Sequence, residues 1–365
     1  MSTPIGVRYG LSRLDLLFGA GLQGAADFDG TADPDGWGHT GSGSTAIYTY
    51  SGTARVLEYT DVTIAAGVTV RPAGCPLHVA GTLSLAADAQ VSASGADASG
   101  ATGGAASSVV SGAFLGTGSA GRNGVANGTA GLASSAVSAV GMGARGGAGG
   151  TGYRATTNLA GGAAGTVSAY TLASGPPHQC LSFVPYQMMA AGVARGGSGG
   201  GSGGCVGATA CTSGGGGGGG GVLVVVARRV VQAAGSSRAG LAARGGAGGL
   251  GVDITGSAGA VHCGGSGGGG GGAVVLVAHT LVGDVEIDVS GGEGSAAVKS
   301  ASAVTGSDGG AGGSFGSIWA FYAEATGTPS ATAQGGAGGA GFVGTLGGAN
   351  GADGTGTDFV YLQRV

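Results

Sequence analysis

Short apolar runs recur along the chain, and glycine introduces each. Residues 222–227 read VLVVVA after the glycines 214–221, 273–278 read AVVLVA after 267–272, and 318–323 read IWAFYA after GGAGG at 309–313. Continuous, largely β-branched runs bounded by glycine predict strands buried on both faces. Residues 77–85 (LHVAGTLSL) open a further copy. A second kind of segment alternates instead. In 284–289 (DVEIDV) a period of two turns Val285, Ile287 and Val289 inward and Asp284, Glu286 and Asp288 outward, and 90–93 (QVSA) is its counterpart. Apolar residues at 11, 14, 17 and 18 predict a short helix near the start, and 358–365 predict a closing strand.

Between these strands lies a glycine signature. It reads ARGGAGG at 144–150, ARGGSGG at 194–200, ARGGAGG at 243–249 and AQGGAGG at 333–339, with weaker copies from 93 and 289. The starting positions 93, 144, 194, 243, 289 and 333 are 51, 50, 49, 46 and 44 residues apart, so the chain reads as a repeat array. Within 335–341 (GGAGGAG) the period is three, that of a polyproline-II-type helix, which makes no internal hydrogen bonds. Such segments satisfy their backbones only by packing side by side, where glycine alone permits the approach and each third position carries Ala or Ser outward. Flexible linkers are the alternative for these tracts. The fold class expected is all-β and repetitive: β-solenoid-like strand units interleaved with packed polyglycine-II helices, with little α-helix. The divisions expected are an N-terminal attachment or cap segment at 1–40, a β-rich entry region at 41–140, the array at 141–340 and a cap strand at 341–365.

Composition narrows the classes. With 92 glycines among 365 residues a helical bundle is excluded, since each interior glycine costs about 1 kcal/mol against alanine. A hydrophobic fraction of 42% with only 9% charged residues also excludes simple disorder. The net charge of −4 gives no electrostatic reason to bind nucleic acid or an anionic membrane. No apolar stretch is long enough to insert into a bilayer, and the first residues lack the layout of a secretory signal. Five scattered cysteines (Cys75, Cys180, Cys205, Cys211, Cys263) make a poor disulfide framework and suit synthesis in a reducing cytoplasm.

Candidate chemistry is sparse. Asp284, Glu286 and Asp288 are the candidate metal set, or the carboxylates of a glycosidase, against the plainer reading that they keep a sheet edge soluble. Residues 27–36 (DFDGTADPDG) read as turn chemistry; a calcium loop opening at Asp27 would need glutamate where Gly38 stands. Histidines 39, 78, 178, 262 and 279 and the cysteines lack zinc spacing, with His78 and His279 in strand contexts. No GxSxG precedes a helix and no glycine run is followed by Lys-Ser or Lys-Thr, so neither a nucleophile elbow nor a phosphate loop is supported. The expectation is a protein without cofactor and without catalysis. One insertion stands out, the proline-stiffened, aromatic and methionine-rich loop 175–189. Insertions in repeat arrays gather on one face, which makes Pro176, Pro177, His178, Phe183, Tyr186, Met188 and Met189 the receptor- or partner-contact candidates. Covering a core edge or a neighbouring subunit is the alternative role for that loop.

With these residues laid out, the chain resembles the glycine-rich tail proteins and tail-fibre adhesins of tailed bacteriophages. Residues 18–31 (FGAGLQGAADFDGT) are similar to the family's "GDGSDG…DGT" entry, with the first Asp and the Ser replaced. The stretch 59–70 followed by VAGTL at 79–83, and the glycine run followed by VVLVA at 274–278, also fit. The resemblance implies a virion component at the tail tip or on a fibre, commonly a homotrimer, made in the host cytoplasm and exposed on the extracellular particle. Its N-terminal segment would join other tail proteins, its loops would meet a host-surface glycan or protein, and no catalytic residue carries over. A capsid-decorating head fibre and a glycan-degrading β-solenoid depolymerase are the alternatives. Glycine-repeat surface proteins of mycobacteria share GGAGG tracts but carry a helical amino-terminal domain that residues 1–40 do not match.

Overall fold

The structure, a computed structural model, describes residues 18–111, 113, 115–134, 137–141, 143–154, 157–163, 167–169, 196–206, 211–251, 262–299, 306–342, 349, 351–354 and 360–364. It is mostly β. Helical structure among these residues is confined to Phe18 and the 3-10 turn Gly43–Thr45.

Two large sheets carry the side-chain core. The first is parallel throughout and runs in the order Ala26–Phe28, Val62–Ile64, Leu77–Leu85, Val222–Gln232, Ala273–Val282, Ser317–Thr326, Val360–Arg364, with Leu57–Tyr59 also pairing Leu77–Leu85. The second runs Trp37–Thr40, Ile47–Tyr50, Thr69–Arg71, Gln90–Ser92, Leu241–Ala242, Glu286–Asp288, Ser330–Thr332, parallel except for its first, antiparallel pair. Register aligns Leu223 with Val274 and Ile318, and Val225 with Leu276 and Ala320. These residues share one core with Val91, Leu241, Val285, Ile287 and Val289 of the other sheet and its flanks. The opposite face of the parallel sheet holds Val222, Val224, Val226, Val275, Trp319 and Phe321, and Phe18 and Leu115 belong to that cluster. Both faces of these strands are therefore withdrawn from water, which is why their sequences do not alternate. At the start of the sandwich, Phe28 packs edge-on against Trp37 and Tyr48, and Trp37 Nε1 donates to Tyr59 Oη at 2.8 Å.

The glycine tracts form a second, different interior. Successive residues of 215–222 donate to three neighbours in rotation. Gly215, Gly218 and Gly221 donate to the carbonyls of Gly100, Ala96 and Ala93; Gly216, Gly219 and Val222 to those of Arg122, Ser119 and Gly116; Gly217 and Gly220 to those of Gly267 and Gly270. The carbonyls of this tract accept in turn from Gly104, Gly197, Gly200, Gly246 and Gly249. Tract 264–272 behaves alike, donating to 196–204, 243–251 and 306–316 and accepting from 144–150, 214–221 and 289–297. A chain bonded on every side leaves no direction for a side chain. A Cβ on Gly218 would strike the Ala105 carbonyl, and one on Gly269 the Gly218 carbonyl. Outer tracts differ. In 334–340 the sequence QGGAGGA exposes Gln334, Ala337 and Ala340 and buries Gly336 and Gly339, a period of three. Where serine stands inside, its hydroxyl oxygen takes the place of a carbonyl: Ser198 Oγ accepts from Gly146 N, Ser202 Oγ from Leu132 N and Ser213 Oγ from Val125 N, at 2.8–2.9 Å.

This architecture corrects the expected solenoid-like, all-β repeat fold. The strands lie in parallel, mixed and antiparallel sheets, and neither large sheet closes. A solenoid winds in one sense, each coil stacking on the last. Here the chain leaves the second sheet along 243–251, returns along 264–272 into the first, leaves again along 289–297 and returns along 306–316. An out-and-back path and a winding path have the same residue period, so spacing did not distinguish them.

Candidate functional site

The outgoing and returning tracts meet at the end remote from the sheets. There Cys205–Val206, His262–Cys263 and Val298–Lys299 form a three-stranded antiparallel sheet. Single bridges tie Thr129 to Cys205, Gly152 to Ser307 and Ser307 to Phe342. Lys299 Nζ stands 3.4 Å from the centroid of the Phe342 ring. Asp308 accepts from Tyr153 Oη at 3.1 Å and from Ala349 N at 2.9 Å, and burial followed by the Asp308 contact raises the Tyr153 pKa. These groups brace the cap. The connecting segments 252–261, 300–305 and 343–348 lie outside the described residues, as does the loop 175–189 with Pro176, Pro177, His178, Phe183, Tyr186, Met188 and Met189.

The strand carboxylates do not converge. Asp284 Oδ1 accepts from Thr328 N at 3.0 Å and Glu286 Oε1 from Thr332 Oγ1 at 2.9 Å. Asp288, expected outward, is 9% exposed; its Oδ2 meets Arg244 Nε at 3.2 Å and its Oδ1 accepts from Ser290 N. Each is engaged with a different neighbour, and their strand lies between Leu241–Ala242 and Ser330–Thr332 and not at the sheet edge. In the 27–36 loop Asp29 folds onto its own turn, accepting from Thr31 N and Oγ1, and the Thr31 hydroxyl holds its pKa below the usual carboxylate value. Asp33 meets His39 Nδ1 at 2.6 Å. Both are turn-closing contacts, with no carboxylate set aimed at a common point.

Among the described residues, one group of three potential metal ligands comes together: Cys205, Cys211 and Cys263, all buried, with ligand atoms within 4.8 Å of one another. Sequence spacing did not find it, because Cys205 and Cys263 lie 58 residues apart. A signal was present nonetheless. Cys205 follows tract 196–204 and Cys263 precedes tract 264–272, and those tracts pair antiparallel, so their ends coincide. Cys75 lies elsewhere; its thiol donates to Ala54 O, and burial pushes its pKa up to about 11. Near the junction of sandwich and lattice, Arg71 lines a small cleft with Ser92, Ser94 and Ser107, and burial lowers its pKa.

No helix among the described residues is long and apolar enough to cross a membrane. Comparisons with protein-family models, with curated proteins and with solved structures return no match.

Proposed function

We propose that the chain is a structural, non-catalytic attachment protein of a tailed bacteriophage particle, carried at the tail tip or on a fibre. One observation supports this reading above the others. Glycine tracts bonded to one another through their backbones run out from the sandwich and back, bringing the starts and ends of three connecting segments to one remote end. A lattice of this kind is stiff because each residue is held by neighbours in several directions, and it presents few side chains to solvent. The resemblance of its glycine and strand motifs to phage adhesins supplies the rest. In this reading the N-terminal segment joins other tail proteins, three copies assemble, and connecting segments with the 175–189 loop meet a glycan or protein on the host surface.

The test is competition. Purified protein should bind intact host cells and slow adsorption of the parent particle, with immunogold marking the tail. Replacing 175–189 by a Gly-Ser segment of equal length should abolish competition. Labelling confined to the head, unchanged competition by the replaced form, or release of reducing ends from host polysaccharide would each overturn the proposal.

A further inference from the structure

The buried cysteine trio has a geometry with its own consequence. Cys205 Sγ lies against both Cys211 and Cys263. A sulfur forms one disulfide, so the two contacts are mutually exclusive. The backbone favours neither decisively: disulfide-linked Cα atoms lie about 4.4–6.8 Å apart, while Cys205 is 4.3 Å from Cys263 and 6.9 Å from Cys211. One pair sits just below the window and the other just above it. All three residues are at most 3% exposed, and the backbone pairing of Cys205 with Cys263 and of Cys263 with Val298 holds two of them in place.

We propose that Cys205, Cys211 and Cys263 form an exchangeable disulfide centre, in which Cys205 is always bonded and its partner alternates. A small-molecule disulfide RSSR, such as glutathione disulfide, serves as oxidant. The Cys205 thiolate attacks RSSR, forming Cys205–S–SR and releasing RS⁻. The thiolate of Cys263 or Cys211 then attacks the Cys205 sulfur and expels the second RS⁻. The two protons leaving the cysteines convert both RS⁻ into RSH, so two thiols and one RSSR become one protein disulfide and two RSH. Afterwards the third cysteine, as thiolate, attacks Cys205 and releases the former partner, with no net redox change. The oxidation takes place as the chain folds, before the cysteines are covered; once they are buried, outside thiols are shut out and exchange is confined to the trio. A disulfide is also neutral, whereas three buried thiolates around a cation of charge one or two would keep a net negative charge away from water, which is costly. The centre would staple the cap once a chain made in a reducing compartment meets an oxidising one.

The test uses the full chain, incubated with glutathione disulfide and glutathione until its thiol count is constant, quenched in acid, alkylated under denaturing conditions and mapped by peptic digestion. A second sample refolded from urea in the same buffer removes burial as a reason for unreactive thiols. Expected are both Cys205–Cys263 and Cys205–Cys211 linkages from one sample, with the third cysteine alkylated in each. Cys211→Ser and Cys263→Ser should each fix a single linkage, and Cys205→Ser should yield none within the trio. Three alkylated thiols in the wild type, a Cys211–Cys263 bond, one linkage alone, or a metal ion retained with three thiols in native mass spectrometry would overturn the proposal.

Discussion

The sandwich and the glycine lattice solve one problem in two ways. Each must bury backbone without leaving N–H and C=O groups unpaired. In the sandwich, hydrogen bonds run within the sheet plane, and the perpendicular directions are filled by Val, Leu and Ile. In the enclosed tracts of the lattice, bonds rotate through three directions along the chain, and nothing is left there for side chains to fill. Their tolerances therefore differ. The sandwich is sensitive to lost volume, the lattice to added volume. Composition follows from position: tracts enclosed on all sides are almost pure glycine, while outer tracts admit a residue at every third place.

Substitutions in the two regions should separate these modes. Gly218→Val should have the largest effect, about 3 kcal/mol or more, because backbone and not a flexible side chain must give way; urea unfolding measures it. Val225→Ala in the sandwich should cost about 2 kcal/mol through lost burial and a cavity, with the lattice intact. Ser198→Ala should cost about 1.5 kcal/mol by leaving the Gly146 N–H unpaired, although it removes only one oxygen. A smaller effect belongs to His78. Burial lowers its pKa, against an opposing pull from Glu58, so the unfolded chain protonates first as pH falls. Its contribution is complete above the ordinary histidine value of about 6.5 and is lost as pH falls from there toward the lower folded value. His78→Leu should flatten that part of the stability profile. Ala337→Ser, on the exposed third position of an outer tract, should lie within about 0.5 kcal/mol of wild type. A cost there equal to that of Gly218→Val would remove the distinction between enclosed and outer tracts.

Much of this was legible in the chain. The runs at 222–227, 273–278 and 318–323 marked strands covered on both faces, and the GGx period separated positions that tolerate a side chain from those that do not. The path of the chain was not legible, because repeat length counts residues and is indifferent to whether they wind or turn back. Two glycine tracts flanking one segment without a glycine run, as 243–251 and 264–272 flank 252–261, carried that information. Asp288 departs from strand alternation: a period of two turns it outward, but it is buried and its Oδ2 meets Arg244 Nε. The cysteine trio depends on antiparallel tract pairing, which no local spacing encodes.

Amide hydrogen exchange, resolved by peptic fragments, tests the central claim most directly. Amides of 214–221 should be protected to the same degree as those of the adjoining Val222–Gln232 strand, since both are buried and bonded to neighbouring chain. Exchange of those glycines at the rate of an unstructured peptide, while the strand stays protected, would contradict it.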